Sequence, residues 1–195
     1  MENLTSEMLA LLFDTKRTPR AWKNQSFDLS LLQKIYDHSK FGPTSANCSP
    51  LRVIFVHSKE GKEKLKPCLA PGNVDQTMKA PVTAIFAYDL DFYTHMDKLY
   101  PHTNARAWFE GNDQLIKDTA FRNSTLQAAY FMMSARGFGL DCGPMSGFEP
   151  ATLDDAFFKG TNYKSNFLCN LGYGEIGDLK PRDWRFPFDK ICTIV

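Results

Sequence analysis

The stretch "LQAAYFMMSA", residues 126–135, is apolar nearly all the way round a helical wheel. It completes a long helix expected from about residue 113 to 136. A helix without a polar face belongs where every side is covered, in a core or in a bilayer. No apolar run in the chain approaches the ~20 residues that span a membrane. The expectation is therefore a helix buried on all sides, with the rest of the fold built around it.

The elements around it are mixed. Helical periodicity marks residues 6–13, 29–40, 59–65 and 152–158, and buried strands are expected at 52–57, 82–88, 138–141 and 167–171. Residues 89–111, "DLDFYTHMDKLYPHTNARAWFEG", combine aromatics with turn formers and read as irregular, a lid or an excursion from the core. The tail "RFPFDKICTIV" ends in β-branched residues. Helices alternate with only some of the strands, which favours an α+β fold over a regular parallel βαβ array. A length of 195 residues fits a single domain, residues 1–195.

Charge and cysteine content exclude several classes. A net charge of +1 offers no electrostatic footprint for nucleic acid or an anionic membrane surface. The first residues carry acids early and lack a basic n-region, so they read as mature sequence and not as a signal peptide. Cys48, Cys68, Cys142, Cys169 and Cys192 are odd in number, scattered and without a C-x-x-C pair. Reduced thiols in a cytoplasmic protein are expected. His38, His57, His95 and His102 lack ligand spacing, and no metal is expected. The 16 phenylalanines imply a dense core, or aromatic surface covered by another subunit or a flat cofactor.

Familiar catalytic signatures are missing. "GFGLDCG" holds Gly137, Gly139 and Gly143, but these glycines end a helix and enter a strand. A dinucleotide fingerprint does the reverse. Cys48 has no histidine near it in sequence and reads as a small residue packed beneath a loop. Four segments remain. In "KRTPRAW" (16–22), three cations and the Thr18 hydroxyl suit a phosphate dianion, or form a solvated basic loop. In "GPTSANCSP" (42–50), the Asn47 amide carries one donor and one acceptor side that match the edge of a heterocycle. The same residue types also cap turns. In "CGPMSGFEP" (142–150), Gly147 permits close approach to its backbone N–H, or simply starts a helix. "KPRDWRFP" (180–187) is a second basic cluster, far from the first.

In this order the four segments resemble the nitroreductase family of FMN-dependent oxidoreductases, over nearly the whole chain. "KRTPRAW" looks like the family's R-R-S-x-R-x-F phosphate motif, "GPTSANCSP" its A-P-S-x-x-N-x-Q-P loop, and "GLDCGPMSGF" the strand and turn facing flavin N5. Ser49 replaces the usual Gln, and Ser146 a frequent acidic residue. The subgroup most resembled contains the malonic semialdehyde reductase of pyrimidine breakdown. The resemblance implies a nitroreductase-like α+β fold with a mixed, mainly antiparallel sheet flanked by helices, in an intertwined homodimer that exchanges C-terminal tails. FMN would lie at the dimer interface. Arg17, Thr18, Arg20, Arg182 and Arg185 would bind phosphate and ribityl. Pro43, Ser45 and Asn47 would address the ring from the partner chain, Gln76 would reach its pyrimidine edge, and Pro144, Met145, Ser146 and Gly147 would pack on it. NADH or NADPH would deliver hydride to N5 in a ping-pong cycle, with no catalytic side chain required. The acceptor implied is malonic semialdehyde, its carboxylate met by Arg106 or Arg122. A broad nitroaromatic or quinone reductase, a non-catalytic flavin-binding module, and a partner-binding protein using aromatic residues 92–109 are the alternatives.

Overall fold

The computed structural model describes residues 3–175, 177, 179 and 181–195. Lys180 of the second basic cluster lies outside the described residues. Four strands, β1 (Leu51–Val56), β2 (Val82–Asp89), β3 (Asp141–Met145) and β4 (Tyr163–Gly172), form one sheet in the order β1-β2-β4-β3. All of their pairings are antiparallel, so the mixed sheet expected is antiparallel throughout among the described residues.

β2 is buried along almost its whole length because both faces of the sheet are covered. Its side chains alternate between the two layers. Ala84 and Phe86 point into a cluster with Ala128, Phe131 and Ala135, on the side of α6 (Asp113–Gly137) and α2 (Ser30–Ser39). Ile85 and Ala87 join Leu65, Leu153 and Phe158, beneath α3 (Lys59–Leu65) and α7 (Pro150–Phe157). The remaining helices are α1 (Ser6–Leu12), α4 (Pro71–Lys79), α5 (Met96–Leu99) and α8 (Phe188–Ile191).

The long helix is present, and its own chain covers one face of it. Ile116, Ala120, Ala128, Phe131 and Ala135 are buried on one face, whereas Phe121 is 50% and Leu126 41% exposed. Within one chain the helix therefore has a buried face and an uncovered apolar one. α1 likewise buries none of its residues and shows Met8, Leu9 and Leu11 to solvent.

Residues 89–111 are not irregular. Short helical turns at Phe92–His95 and Ala105–Trp108 flank α5, and Phe92, Met96, Ala105 and Phe109 turn inward. With Cys48, Ile116 and Ala120 they make a third apolar cluster, so the aromatic excess here is core. Two strand boundaries moved and one helix was added, β4 beginning at Tyr163 and not at 167. The third strand begins at Asp141, not at 138, and runs through Pro144, which β3 tolerates because it is an edge strand. α4 was not foreseen, because Pro71-Gly72 reads as a turn. Proline at the first helical position instead starts the helix.

Candidate functional site

The sequence-nominated residues gather in two places. The first lies along β3. The basic segment 16–22 runs beside this strand, where Gly143 is close to both Trp22 and the Pro19 carbonyl. Gly174 takes Pro19 against its backbone, so an added Cβ would stand 2.5 Å from the proline ring. This contact sets Thr18 and Arg20, both exposed, outside the strand. Arg182 Nη2 donates to the Asp14 carbonyl at 2.6 Å and thereby brings the second basic cluster beside the first. Two more of these cations have partners within the chain. Lys16 donates to Asp141 Oδ1 and to the Gly139 carbonyl, both at 3.1 Å, and serves as a brace. Arg185 donates to its neighbouring carbonyls, Asp183 and Trp184.

The turn after β3 is tied to α4. The Gly147 carbonyl accepts from Ala70 N at 3.0 Å and from Asn73 Nδ2 at 2.9 Å. Gln76 Nε2 donates to Asn73 Oδ1 at 2.7 Å, and Trp22 Nε1 to the Gln76 carbonyl at 3.0 Å. Gln76, Trp22 and the 144–147 turn are thus one connected unit, with Pro144 and Ser146 exposed. Asn73, which links them, was missed because its helix was missed.

The second place lies at the other edge of the sheet. Ala46, Asn47 and Ser49 have φ of 47°, 53° and 41°, the left-handed region that costs a non-glycine residue about 1–3 kcal/mol. Three side chains of α6 hold the loop that carries them. Asn123 Oδ1 accepts from Ser45 N at 2.8 Å, Gln127 Oε1 accepts from Leu51 N at 2.9 Å, and Tyr130 donates to the Pro43 carbonyl at 3.0 Å. Their spacing puts them on one helix face. Asn47 Nδ2 is engaged with the Leu99 carbonyl at 2.8 Å. Arg106 pairs with Glu110 at 2.7 Å, whereas Arg122 is exposed on α6 beside Asn123. Replacing Asn123 with Leu leaves the Ser45 N–H without its acceptor. The expected loss of stability is about 1–3 kcal/mol, read from urea denaturation at unchanged slope.

Cys48 is fully buried, and desolvation pushes its thiol up to about 11, which removes it as a nucleophile. Among the described residues no group of three or more His, Cys, Asp or Glu stands ready to hold a metal ion. None of the described helices is long and apolar enough to cross a membrane.

The profile of the Nitroreductase family matches residues 14–173. A Burkholderia lata protein provisionally named NADH dehydrogenase/NAD(P)H nitroreductase is 53% identical over 194 residues, covering 100% of both chains. Among solved structures, a provisionally named nitroreductase from Bacillus subtilis superposes with a TM-score of 0.89 at 19% identity, over 98% of this chain and 100% of the other. A provisionally named nitroreductase from Exiguobacterium sibiricum, solved in complex with FMN, gives a TM-score of 0.84 at 19% identity over 100% of both chains.

Proposed function

The chain belongs to the nitroreductase family, and from that premise we propose that it is an FMN-dependent NAD(P)H oxidoreductase whose flavin site is completed by a second copy of the chain. One observation carries the second half of this reading. The loop with Pro43, Ser45 and Asn47 enters β1, and the turn Pro144–Gly147 leaves β3, at opposite edges of the sheet. Three strand spacings separate those edges, about 14 Å. One flavin ring touching both loops needs them from different chains.

The residues along β3 fit FMN. Gly147 has space for hydrogen only, since a Cβ would stand 2.4 Å from Asn73 Nδ2. The turn therefore packs directly on α4, and its outer side, where Pro144 and Ser146 are exposed, is left for a flat ring. Arg17, Thr18, Arg20, Arg182 and Arg185 would hold the phosphate and ribityl chain, with Pro144, Met145 and Ser146 against the ring and Gln76 at its edge. FMN, when bound, supplies the hydride-accepting centre, while the protein contributes orientation, hydrogen bonds and exclusion of water. The proposed cycle is ping-pong, with nicotinamide and acceptor occupying one pocket in turn.

Two uncovered surfaces support the dimer. The apolar face of α6 with Phe121 and Leu126 would pack on its twin. A groove of about 640 Å³ runs along the free edge of β1, lined by Leu29, Leu32, Tyr36, Leu51, Val53 and Phe55. Tail residues 186–195 of the second copy, apolar and exposed in this chain, suit that groove. The acceptor proposed is a small aldehyde acid, malonic semialdehyde reduced to 3-hydroxypropionate. Arg122, at the second half-site, is the better-placed carboxylate partner because Arg106 is paired. The four buried, unbridged cysteines agree with a reducing, cytoplasmic setting.

The test is an absorbance spectrum of the purified protein followed by anaerobic titration with NADH and with NADPH. Bleaching of a bound flavin is expected, and a protein that stays colourless with added FMN sinks the reading. A flavin that binds but is not reduced would instead mark a non-catalytic binding module. Arg20→Ala is expected to weaken FMN binding by about 1.5–3 kcal/mol, as for a hydrogen bond to a charged group. Fluorescence titration measures it.

A further inference from the structure

A buried cation lies behind the turn at Gly147. Lys62, on α3, is 5% exposed. Its Nζ donates to the Thr77 carbonyl at 2.9 Å, in the last turn of α4, and to Thr83 Oγ1 at 2.6 Å, on β2. Thr83 Oγ1 donates onward to Asn170 Oδ1 at 2.7 Å, and Asn170 Nδ2 to Thr77 Oγ1 at 3.2 Å. Thr77 Oγ1 donates in turn to Met145 Sδ at 3.5 Å, within the ring-facing turn. α4 thus runs as a strut from Lys62 at its carbonyl end to Gly147 at its amide end, where Ala70 and Asn73 hold the Gly147 carbonyl. A positive charge at the carbonyl end of a helix is favourable.

None of the described carboxylates is paired with Lys62. On α3, Lys59, Glu60, Glu63 and Lys64 are exposed, as is Lys66 just beyond it. On α4, Asp75 and Lys79 pair with each other at 2.9 Å. On α7, Asp155 faces Lys159 and Asp154 faces Lys164. On β1 and β2, Arg52 pairs with Asp89. Beside Thr83, β2 offers only Val82 and Ala84. Beside Asn170, β4 offers Cys169, a thiol kept neutral by burial, and Leu171. A charged amine this deep, held by neutral acceptors alone, is disfavoured for stability.

We infer that Lys62 is a positioning residue for flavin binding: its ammonium form, acting through Thr77 and Asn170, holds α4 and Met145 in the geometry that FMN requires. This rests on the flavin reading above. Desolvation lowers the Lys62 ammonium from 10.5 to about 8 in the free protein. The signs of the two consequences differ. Between about 8 and 10.5 the unfolded chain binds the extra proton, so the Lys62 contribution to fold stability rises with pH. FMN binding favours the charged form, so affinity falls as pH rises through about 8. A side chain with only a structural role would move stability and leave the affinity profile flat.

The experiment measures FMN affinity by fluorescence quenching from about pH 7 to pH 9, where the phosphate stays dianionic. Wild type, Lys62→Met and Thr83→Val are compared. The wild-type affinity is expected to fall about fivefold over this range, half of the tenfold that a one-unit rise in the lysine pKa on binding gives in full. Lys62→Met is expected to be weaker at low pH and flat. Thr83→Val removes one acceptor from the ammonium, so its profile shifts to lower pH, and this variant decides the matter if Lys62→Met does not fold. The ¹³Cε resonance of Lys62 in the flavin-free protein should titrate near the same midpoint and move upward with FMN. FMN binding with one common pH profile in all three proteins overturns the inference alone. A wild type that binds no FMN at any pH overturns the flavin reading and this inference together.

Discussion

Deleting residues 186–195 is expected to convert the protein to a monomer and to lower its FMN affinity by more than about tenfold, a loss beyond 1.4 kcal/mol. Phe186, Phe188, Ile191 and Ile194 are 62%, 66%, 68% and 86% exposed in the single chain. Burying each such side chain is worth about 1.5–3 kcal/mol before the cost of ordering the tail. In a symmetric dimer that gain is counted on both chains. Among the described residues β1 is an edge strand with no ladder partner on its outer side, where only Leu51 has its backbone groups met by side chains. Flavin affinity is expected to follow because, on the proposed reading, the residues along β3 would need the β1 loop of the second copy. Sedimentation velocity and the flavin-to-protein absorbance ratio together check the outcome. A truncated chain that remains dimeric with full flavin content would contradict it.

Gly147→Ala is expected to have an effect of similar size on the cofactor, with little on assembly. The new methyl group would sit 2.4 Å from Asn73 Nδ2, so Asn73 must turn away. That breaks its bond to the Gly147 carbonyl and withdraws the acceptor of Gln76 Nε2. Two neutral hydrogen bonds near 1 kcal/mol each, plus about 1–3 kcal/mol for an amide left unpaired, sum to about 3–5 kcal/mol. Gly72→Ala, on the same helix, is the control. Nothing lies within 4 Å of its Cβ, and it should be neutral or slightly stabilising. Equal FMN affinity in the two variants would remove the 144–147 turn from the site.

Much of this was legible because periodicity and turn chemistry are local. α2, α3, α6 and β2 fall where apolar spacing puts them, and Cys48 packs beneath its loop as its surroundings indicated. The misses have specific causes. α4 hid behind Pro71-Gly72, a pair that serves equally as a turn. Aromatic residues 89–111 read as a lid because hydrophobicity without clear period does not reveal that Phe92 and Phe109 face inward. Lys16 looked like a phosphate ligand, but Asp141, 125 residues away, claims it, and no local pattern reports such a pairing. Which of the apolar residues of α6 its own chain covers was invisible, because they are the same whether the chain's own core or another molecule covers them. The circuit of Lys62, Thr77, Thr83 and Asn170 joins four elements, and each of its members alone is ordinary.

The loop at Ala46, Asn47 and Ser49 has a bearing on how such a protein can diversify. Its left-handed backbone is secured from outside, by Asn123, Gln127 and Tyr130 on α6, so its shape is encoded about eighty residues downstream of itself. Substitutions at those three helix positions can reshape the pocket wall while every residue of the loop stays the same. Conversely, glycine at position 46 or 49 would relieve the backbone and make the loop less dependent on α6. A mutational library aimed at a new electron acceptor therefore gains more from pairing loop positions with their α6 anchors than from randomising either alone, because a changed loop without a matching anchor has no reason to keep its form.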